Sequence, residues 1–218
     1  MSSLVDLQDG FRGFLTRAGK PMGPTHKGAL IRRRPERVDA VVLHQTACVY
    51  GLKAGKDARN ARALEIPAHA LAFRDGTAVF AHPLETYLYH ANSANARSLG
   101  LEIEGRYPGS PDDPRTPVRE DAVRGEPTPV TELVVETACF ALSELVRRGR
   151  ALGMPLRYLL AHRQYSASRR ADPGWELWAR VALAMAGPLD LLTMPEWAEG
   201  GGKPIPVSWD ALDGHGRY

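Results

Sequence analysis

The chain has 218 residues, 44 % of them hydrophobic and 24 % charged, with a net charge of +3 and a pI near 9.0. These values are those of an ordinary globular composition. They fit one ordinary domain large enough to bury a core without disulfides. The mild basic surplus suits either an anionic partner or simple solubility.

In chain order, residues 3–17 carry Leu4, Leu7, Phe11, Phe14 and Leu15 at helical spacing, with Ser3 available as a cap and Gly19 as a stop, so a helix is expected there. Residues 20–35 are rich in Gly, Pro and Arg and read as an irregular approach segment. The run Val38–His44 reads as a buried central strand with His44 at its carboxyl end. A short helix is expected over Lys56–Leu64. The runs Ala68–Phe73 and Ala78–His82 flank Arg74-Asp75-Gly76-Thr77, a hairpin signal. Leu99–Glu104 alternates, with Leu101 and Ile103 on one face and Glu102 and Glu104 on the other.

Residues 105–129, dense in proline and charge, read as a long surface loop. Thr128-Pro129 is expected to cap the clearest helix, whose apolar face is Val135, Ala138, Cys139, Leu142, Leu145 and Val146. A strand follows at Tyr158–His162, then a helix over Trp175–Ala186 packed through Leu177, Trp178, Val181 and Met185. Three segments result: an approach segment at 1–37, a core domain at 38–187 and a Pro/Gly-rich tail at 188–218. The fold class is α/β, a central mixed sheet flanked by helices.

Negative evidence narrows the function. Cys48 and Cys139 form no CxxC pair or disulfide framework, so a reduced site of synthesis is expected. No basic segment followed by an apolar run opens the chain, so synthesis in the cytoplasm without a signal peptide is expected. No run approaches the ~20 apolar residues of a membrane helix, and no membrane insertion is expected. Gly51 and Gly55-Lys56 lack the phosphate-loop spacing, and no nucleic-acid motif appears.

Candidate chemistry gathers at strand ends. His44 and His162 both close apolar strands, where sites assemble in open α/β sheets. Asp172, ten positions beyond His162, could complete a three-ligand set for zinc, or could simply cap the helix that follows. Glu102 and Glu104 face the same way on one strand, so one of them is a candidate general base beside such a metal, or both belong to an exposed sheet face. Arg169 and Arg170 are candidates for anion or oxyanion contact, or a solvated basic turn. Cys48, four residues past His44, could be a nucleophile or a small buried residue.

Five motifs then occur in one order: Val41-Val42-Leu43-His44; Ala68-His69-Ala70-Leu71-Ala72-Phe73-Arg74-Asp75-Gly76; Tyr89-His90-Ala91; Leu99-Gly100-Leu101-Glu102-Ile103-Glu104-Gly105; and His162 through Asp172-Pro173-Gly174. Over roughly Val38–Ala186 the sequence resembles the zinc-dependent N-acetylmuramoyl-L-alanine amidases, which share a fold with the peptidoglycan recognition proteins and phage lysozyme-amidases. The resemblance implies zinc held by His44, His162 and Asp172, with Glu102 as the catalytic acid/base. It implies a groove-lining, substrate-binding role for His90 and a structural one for His69. Arg170 stands where the family has a lysine; it keeps the positive charge but does not release a proton. The expected partner is peptidoglycan or its muropeptide fragments. The expected setting is wall recycling in the cytosol, release to the wall by phage lysis, or a specialised export route. The alternative on the same fold is a non-catalytic peptidoglycan receptor.

Overall fold

The computed structural model describes residues 2–10, 15–49, 55–109 and 126–210. The apolar run expected at Val38–His44 forms the strand Ala40–Gln45, buried at every position, as a strand covered on both faces must be. In chain order the strands are β1 (Ser3–Asp6), β2 (Thr25–His26), β3 (Ala29–Leu30), β4 (Ala40–Gln45), β5 (Ala70–Ala72), β6 (Thr77–Phe80), β7 (Ser98–Ile103) and β8 (Tyr158–Ala161). β2 and β3 form a separate small hairpin, and the other six make one sheet in the order β1-β6-β5-β7-β4-β8. Only β5 and β6 within it are antiparallel neighbours; every other pair is parallel. The sheet is therefore mixed, as expected.

The β5–β6 turn follows from its residues. Gly76 takes φ +89°, and the Asp75 carboxylate accepts from the Thr77 amide at 2.9 Å. Arg59 of the helix α1 (Gly55–Leu64) holds the same carboxylate and the Thr77 hydroxyl, tying helix to hairpin.

Two apolar layers sandwich the sheet. On one face Val41, Leu43, Leu99, Leu101, Ile103 and Leu159 pack against helix α2 (Glu132–Ala151) through Val134, Ala138, Ala141, Leu142 and Leu145. A third helix, α3, spans 175–186 with π-helical geometry at Trp178–Leu183, and adds Leu177, Trp178 and Val181 to that layer. The opposite face is thinner. Leu71, Phe73, Val79 and Ala81 meet Ala63 of α1, while Ala40, Val42 and Leu160 meet Ala91, Ala94 and Tyr165. No helix of the described residues is long and apolar enough to cross a membrane.

The structure corrects two expectations. The start of the expected N-terminal helix is β1, followed by a 3-10 turn at Gln8–Gly10; Phe11 and Phe14 lie outside the described residues. Val5 and Leu7 pack two apart against the Leu71–Phe73 layer, so edge pairing with β6 prevails over a weak helical spacing. The α2 cap is Thr131, whose hydroxyl accepts from Val134 N at 3.3 Å. Thr128 is occupied elsewhere: its backbone N–H donates to Arg106 O at 2.7 Å, and its hydroxyl accepts from Arg106 N at 3.0 Å. That pair closes the base of the 105–129 loop, most of which lies outside the described residues.

Residues 188–210 pack along the main body. Leu192 bridges Tyr158 beside β8, and Leu191, Ile205 and Trp209 enter the main core. The segment then doubles back across the loop that follows β8. Glu199 N donates to Gln164 O, and Lys203 N to Arg163 O, both at 2.8 Å. The Arg163 guanidinium lies 4.9 Å from the Trp209 ring and donates to Pro204 O at 2.9 Å and to Arg170 O. Proline and glycine serve here as the joints of a strap; residues 211–218 lie outside the described residues.

Candidate metal centre

Parallel pairing places the key side chains in one row. His44 on β4 is the register partner of Glu102 on β7, and His162 follows Ala161, the partner of Leu43. Register partners in a parallel sheet project to the same face, so His162, His44 and Glu102 stand side by side at the carboxyl ends of three adjacent strands. This is the face opposite α2.

Asp172 arrives through the loop after β8. Its Oδ1 accepts from Gln45 N at 2.9 Å, and its carbonyl accepts from Arg163 N at 3.1 Å. It does not cap the next helix; Gly174, at φ +112°, holds that position. The carboxylate's second oxygen faces the histidines. His162 Nδ1 lies 3.1 Å from Asp172 Oδ2, His44 Nδ1 lies 2.9 Å from His162 Nδ1, and His44 Nδ1 lies 4.0 Å from Asp172 Oδ2. All three residues are buried, and one ligand atom from each lies within 4.8 Å of the others.

Burial sets their protonation. It pushes His44 well below the ordinary histidine range, with His162 adding to the effect. It lowers His162 to about 3, with Arg169 adding to the effect. It raises Asp172, while His44 and Arg169 pull the other way. Neutral imidazole is the form that binds metals.

A hydrogen-bond chain selects the His44 tautomer. The Ser98 carbonyl, 3.3 Å from His90 Nε2, can only accept, so His90 donates through Nε2. His90 Nδ1 then accepts from His44 Nε2 at 3.1 Å, leaving a lone pair on His44 Nδ1. His90 is itself fixed by Asn95, whose Oδ1 accepts from the backbone N–H of His90 and Ala91 at 2.9 and 2.6 Å. Gly100 leaves room for the ring: a Cβ there would meet His90 Nδ1 at 2.8 Å. His90 thus stands behind His44 and is 7 % exposed. His69 accepts from Gly100 N at Nδ1 (2.9 Å) and donates from Nε2 to Thr86 O (3.0 Å), a wholly structural pairing.

The two glutamates of β7 and its exit part company. Glu104 Oε2 accepts from Arg74 N at 2.9 Å and steadies the hairpin. Glu102 Oε2 is buried with no hydrogen-bond partner. Desolvation first, then the Asp172 charge, raise the Glu102 carboxyl to about 8, against the pull of Arg169. A carboxyl so placed can exchange a proton with whatever enters the site.

Of the two arginines, Arg170 is exposed and Arg169 half-buried. The charge of Arg170 bears on Arg163. That of Arg169 bears on His44, Glu102, His162 and Asp172. Cys48 and Cys139 are free thiols, and among the described residues Cys48 pairs with no histidine.

Two organising residues escape a reading of the sequence. Gln45 donates from Nε2 to Tyr107 O and Ala171 O at 2.8 and 2.7 Å and accepts from Tyr107 N at 2.6 Å, lashing the loop that carries Asp172 to β4. Its one signal is a polar residue directly after His44. Arg33 buries its guanidinium against the carbonyls of Leu84, Asn95 and Ser98, bracing the segment that bears His90. In the sequence it is one of three consecutive arginines.

The sequence model of the family described as N-acetylmuramoyl-L-alanine amidase matches residues 34–175. Among solved structures, the N-acetylmuramoyl-L-alanine amidase LysC from Clostridium intestinale superposes with a TM-score of 0.50 at 14 % identity, covering 88 % of this chain and 100 % of that one. Bumblebee peptidoglycan recognition protein SA gives 0.52 at 13 % identity, covering 88 % and 98 %. The ectodomain complex of peptidoglycan recognition proteins LCa and LCx, bound to tracheal cytotoxin, gives 0.50 at 16 % identity, covering 84 % and 95 %. No curated protein sequence matches the chain. The superpositions carry the fold, and the family match spans well over half of the 218 residues: the chain belongs to the N-acetylmuramoyl-L-alanine amidase family.

Proposed function

We propose that the protein is a zinc-dependent amidase that hydrolyses the amide between the lactyl group of N-acetylmuramic acid and L-alanine, in peptidoglycan or its soluble fragments. One observation carries this reading: three buried ligand atoms converge beside an unpartnered buried carboxyl oxygen, all at the ends of neighbouring strands.

The donor set fits a zinc ion. Two neutral imidazoles and one carboxylate are a common catalytic ligand set, and they leave a fourth position for water or substrate. Zinc–ligand bonds of ~2.0–2.1 Å imply tetrahedral edges of roughly 3.3 Å; the observed separations of 2.9, 3.1 and 4.0 Å bracket that value. His44, His162 and Asp172 would hold the ion, with His90 and the Gln45 amide orienting two of them. When bound, the ion supplies Lewis acidity towards the carbonyl and lowers the pKa of the attacking water towards ~7. Glu102 removes the proton of that water and returns it to the departing amine of alanine, so one carboxyl serves both halves of the reaction. A cavity of about 610 Å³ lies beside α1, lined in part by Cys48, Lys56, Arg62, Phe73 and Glu104; His44, Glu102, His162 and Asp172 are not part of its lining. The tracheal cytotoxin bound to the LCa–LCx complex supports a peptidoglycan fragment as ligand.

Digestion tests the reading. Intact sacculi and soluble muropeptides are treated separately with zinc-loaded protein, and products are identified by mass spectrometry. Free stem peptide is expected, and Glu102→Ala should cut its release by roughly 10²- to 10⁴-fold while leaving zinc content unchanged. Full activity in Glu102→Ala overturns the proton-transfer role. A wild-type protein that binds muropeptide and releases no peptide is a receptor instead.

A further inference from the structure

We infer that a cavity walled by Arg33, Arg34 and Arg37 is a second ligand site, which holds the phosphate of a phosphorylated sugar at the end of the sheet away from the candidate metal centre. The inference goes beyond the amidase reading and does not depend on it.

Local structure builds the cluster. Pro35–Arg37 is a 3-10 turn entered through Arg34, and the Arg37 N–H donates to Arg34 O at 3.1 Å. In 3-10 geometry residues three apart lie one above the other, so Arg34 and Arg37 share a side. Backbone pairing brings the rest. Arg33 N donates to Glu85 O at 2.6 Å and Tyr87 N to Ile31 O at 2.8 Å, which sets Tyr87 beside the arginines. With Ala96 these residues line a cavity of about 350 Å³. Arg37 leads into β4 and Ala96 into β7, so the cavity lies at the amino ends of the strands whose carboxyl ends carry His44 and Glu102.

The cations lack partners. Arg34 and Arg37 are exposed, and their guanidinium groups make no hydrogen bond or ion pair among the described residues. Arg33 is only 9 % exposed. Its two Nη atoms donate to the carbonyls of Leu84, Asn95 and Ser98, but its Nε is buried with no hydrogen-bond partner. A buried donor left unmatched is costly. Burial lowers Arg33 to about 10, so it stays charged at neutral pH. No acidic residue lines the cavity.

The ligand follows from this chemistry. One guanidinium fork satisfies a carboxylate; three cations around one cavity match the higher charge and the extra oxygens of a phosphate. The volume has room for more than the bare ion. The half-buried Tyr87 ring can meet the group that carries the phosphate. The Tyr89 ring, 5.9 Å away and 47 % exposed, extends that surface. Rings with an apolar face and a polar tip suit a sugar. A nucleic-acid duplex needs cations spread along its backbone, whereas here they fall within residues 33–37.

The test uses the zinc-loaded full chain as wild type, Arg34→Gln/Arg37→Gln, Arg34→Lys/Arg37→Lys, Tyr87→Leu and Arg147→Gln, the last removing an exposed charge from α2. Calorimetry at fixed salt measures binding of N-acetylglucosamine 6-phosphate, inorganic phosphate and N-acetylglucosamine. Wild type should bind the sugar phosphate most tightly. Arg34→Gln/Arg37→Gln should weaken it by about 100-fold, with zinc content and melting temperature unchanged. Arg34→Lys/Arg37→Lys should recover part of the loss, because ammonium groups keep the charge without the fork. Tyr87→Leu should weaken the sugar phosphate and spare inorganic phosphate, and Arg147→Gln should match wild type. Equal binding by wild type and Arg34→Gln/Arg37→Gln puts the phosphate elsewhere, at the metal, and overturns the inference. So does the absence of binding by wild type, or equal affinity for the sugar with and without its phosphate. A short DNA duplex that displaces the sugar phosphate, and is itself lost in Arg34→Gln/Arg37→Gln, shows a nucleic-acid site and overturns the sugar assignment. Sedimentation with sacculi before and after hydrofluoric acid, which cleaves phosphodiesters, then identifies the source. Arginine-dependent binding lost on treatment marks a wall-borne sugar phosphate, and binding indifferent to treatment marks a free one; both uphold the site. Peptide release enters none of these measurements, so failure of the amidase reading would leave them standing.

Discussion

The same strands show two different faces. Towards α2, Val41, Leu43, Leu99, Leu101, Ile103 and Leu159 form a continuous apolar layer whose methyl and methylene surfaces need no particular partner. Towards the other side, Val42, Gly100 and Leu160 give way within two residues to His44, Glu102 and His162. The first face works by area and volume. The second works by single atoms at stated distances, held by Gln45, His90 and Asn95. Period-two alternation lets one strand serve both tasks, and it means that damage to either face should have its own signature.

The largest effect is expected on the polar face. His162→Ala removes one of three proposed ligands; zinc content should fall to background and peptide release by roughly 10³-fold or more, several kcal/mol of lost electrostatic stabilisation. Melting of the metal-free protein should hardly move, and a large drop there would show that the two faces are not separable. Leu142→Ala is the converse cut, into the α2 layer. It should cost about 2–5 kcal/mol of stability, at ~2–4 °C of melting temperature per kcal/mol for a domain of this size, with kcat below the transition unchanged. Next comes His90→Ala, which leaves the ligands in place but frees His44 to choose its tautomer. Zinc affinity measured by competition with a chelator should weaken by about 10- to 100-fold. Thr131→Ala is the smallest: loss of the α2 cap should cost ~1 kcal/mol in denaturant melts and leave zinc binding alone.

Legibility followed the same division. The apolar runs at β4 and β7, the Asp-Gly hairpin and α2 were readable because their periods report burial directly. His44, Glu102 and His162 were readable because each closes or lies in such a run. What escaped lacks a period. β1 was hidden because Leu4 and Leu7 satisfy a helical spacing while Val5 and Leu7 satisfy the strand that forms. The cap slid from Thr128 to Thr131 because both threonines open a plausible helix and only the Arg106 contact decides between them. The strap at 188–210 was invisible because proline and glycine describe joints and not destinations.

The strap has a consequence for how the protein is made. Ribosomes deliver the chain from its amino end, and early segments start folding before late ones exist. β4, β7 and β8 can pair once residue 161 has emerged. The loop carrying Asp172, however, is fastened through Arg163 to the carbonyl at 204 and the indole at 209. Its fastening must await almost the last described residues. The scaffold can be assembled early, while the loop it serves is fastened only once residue 209 has emerged.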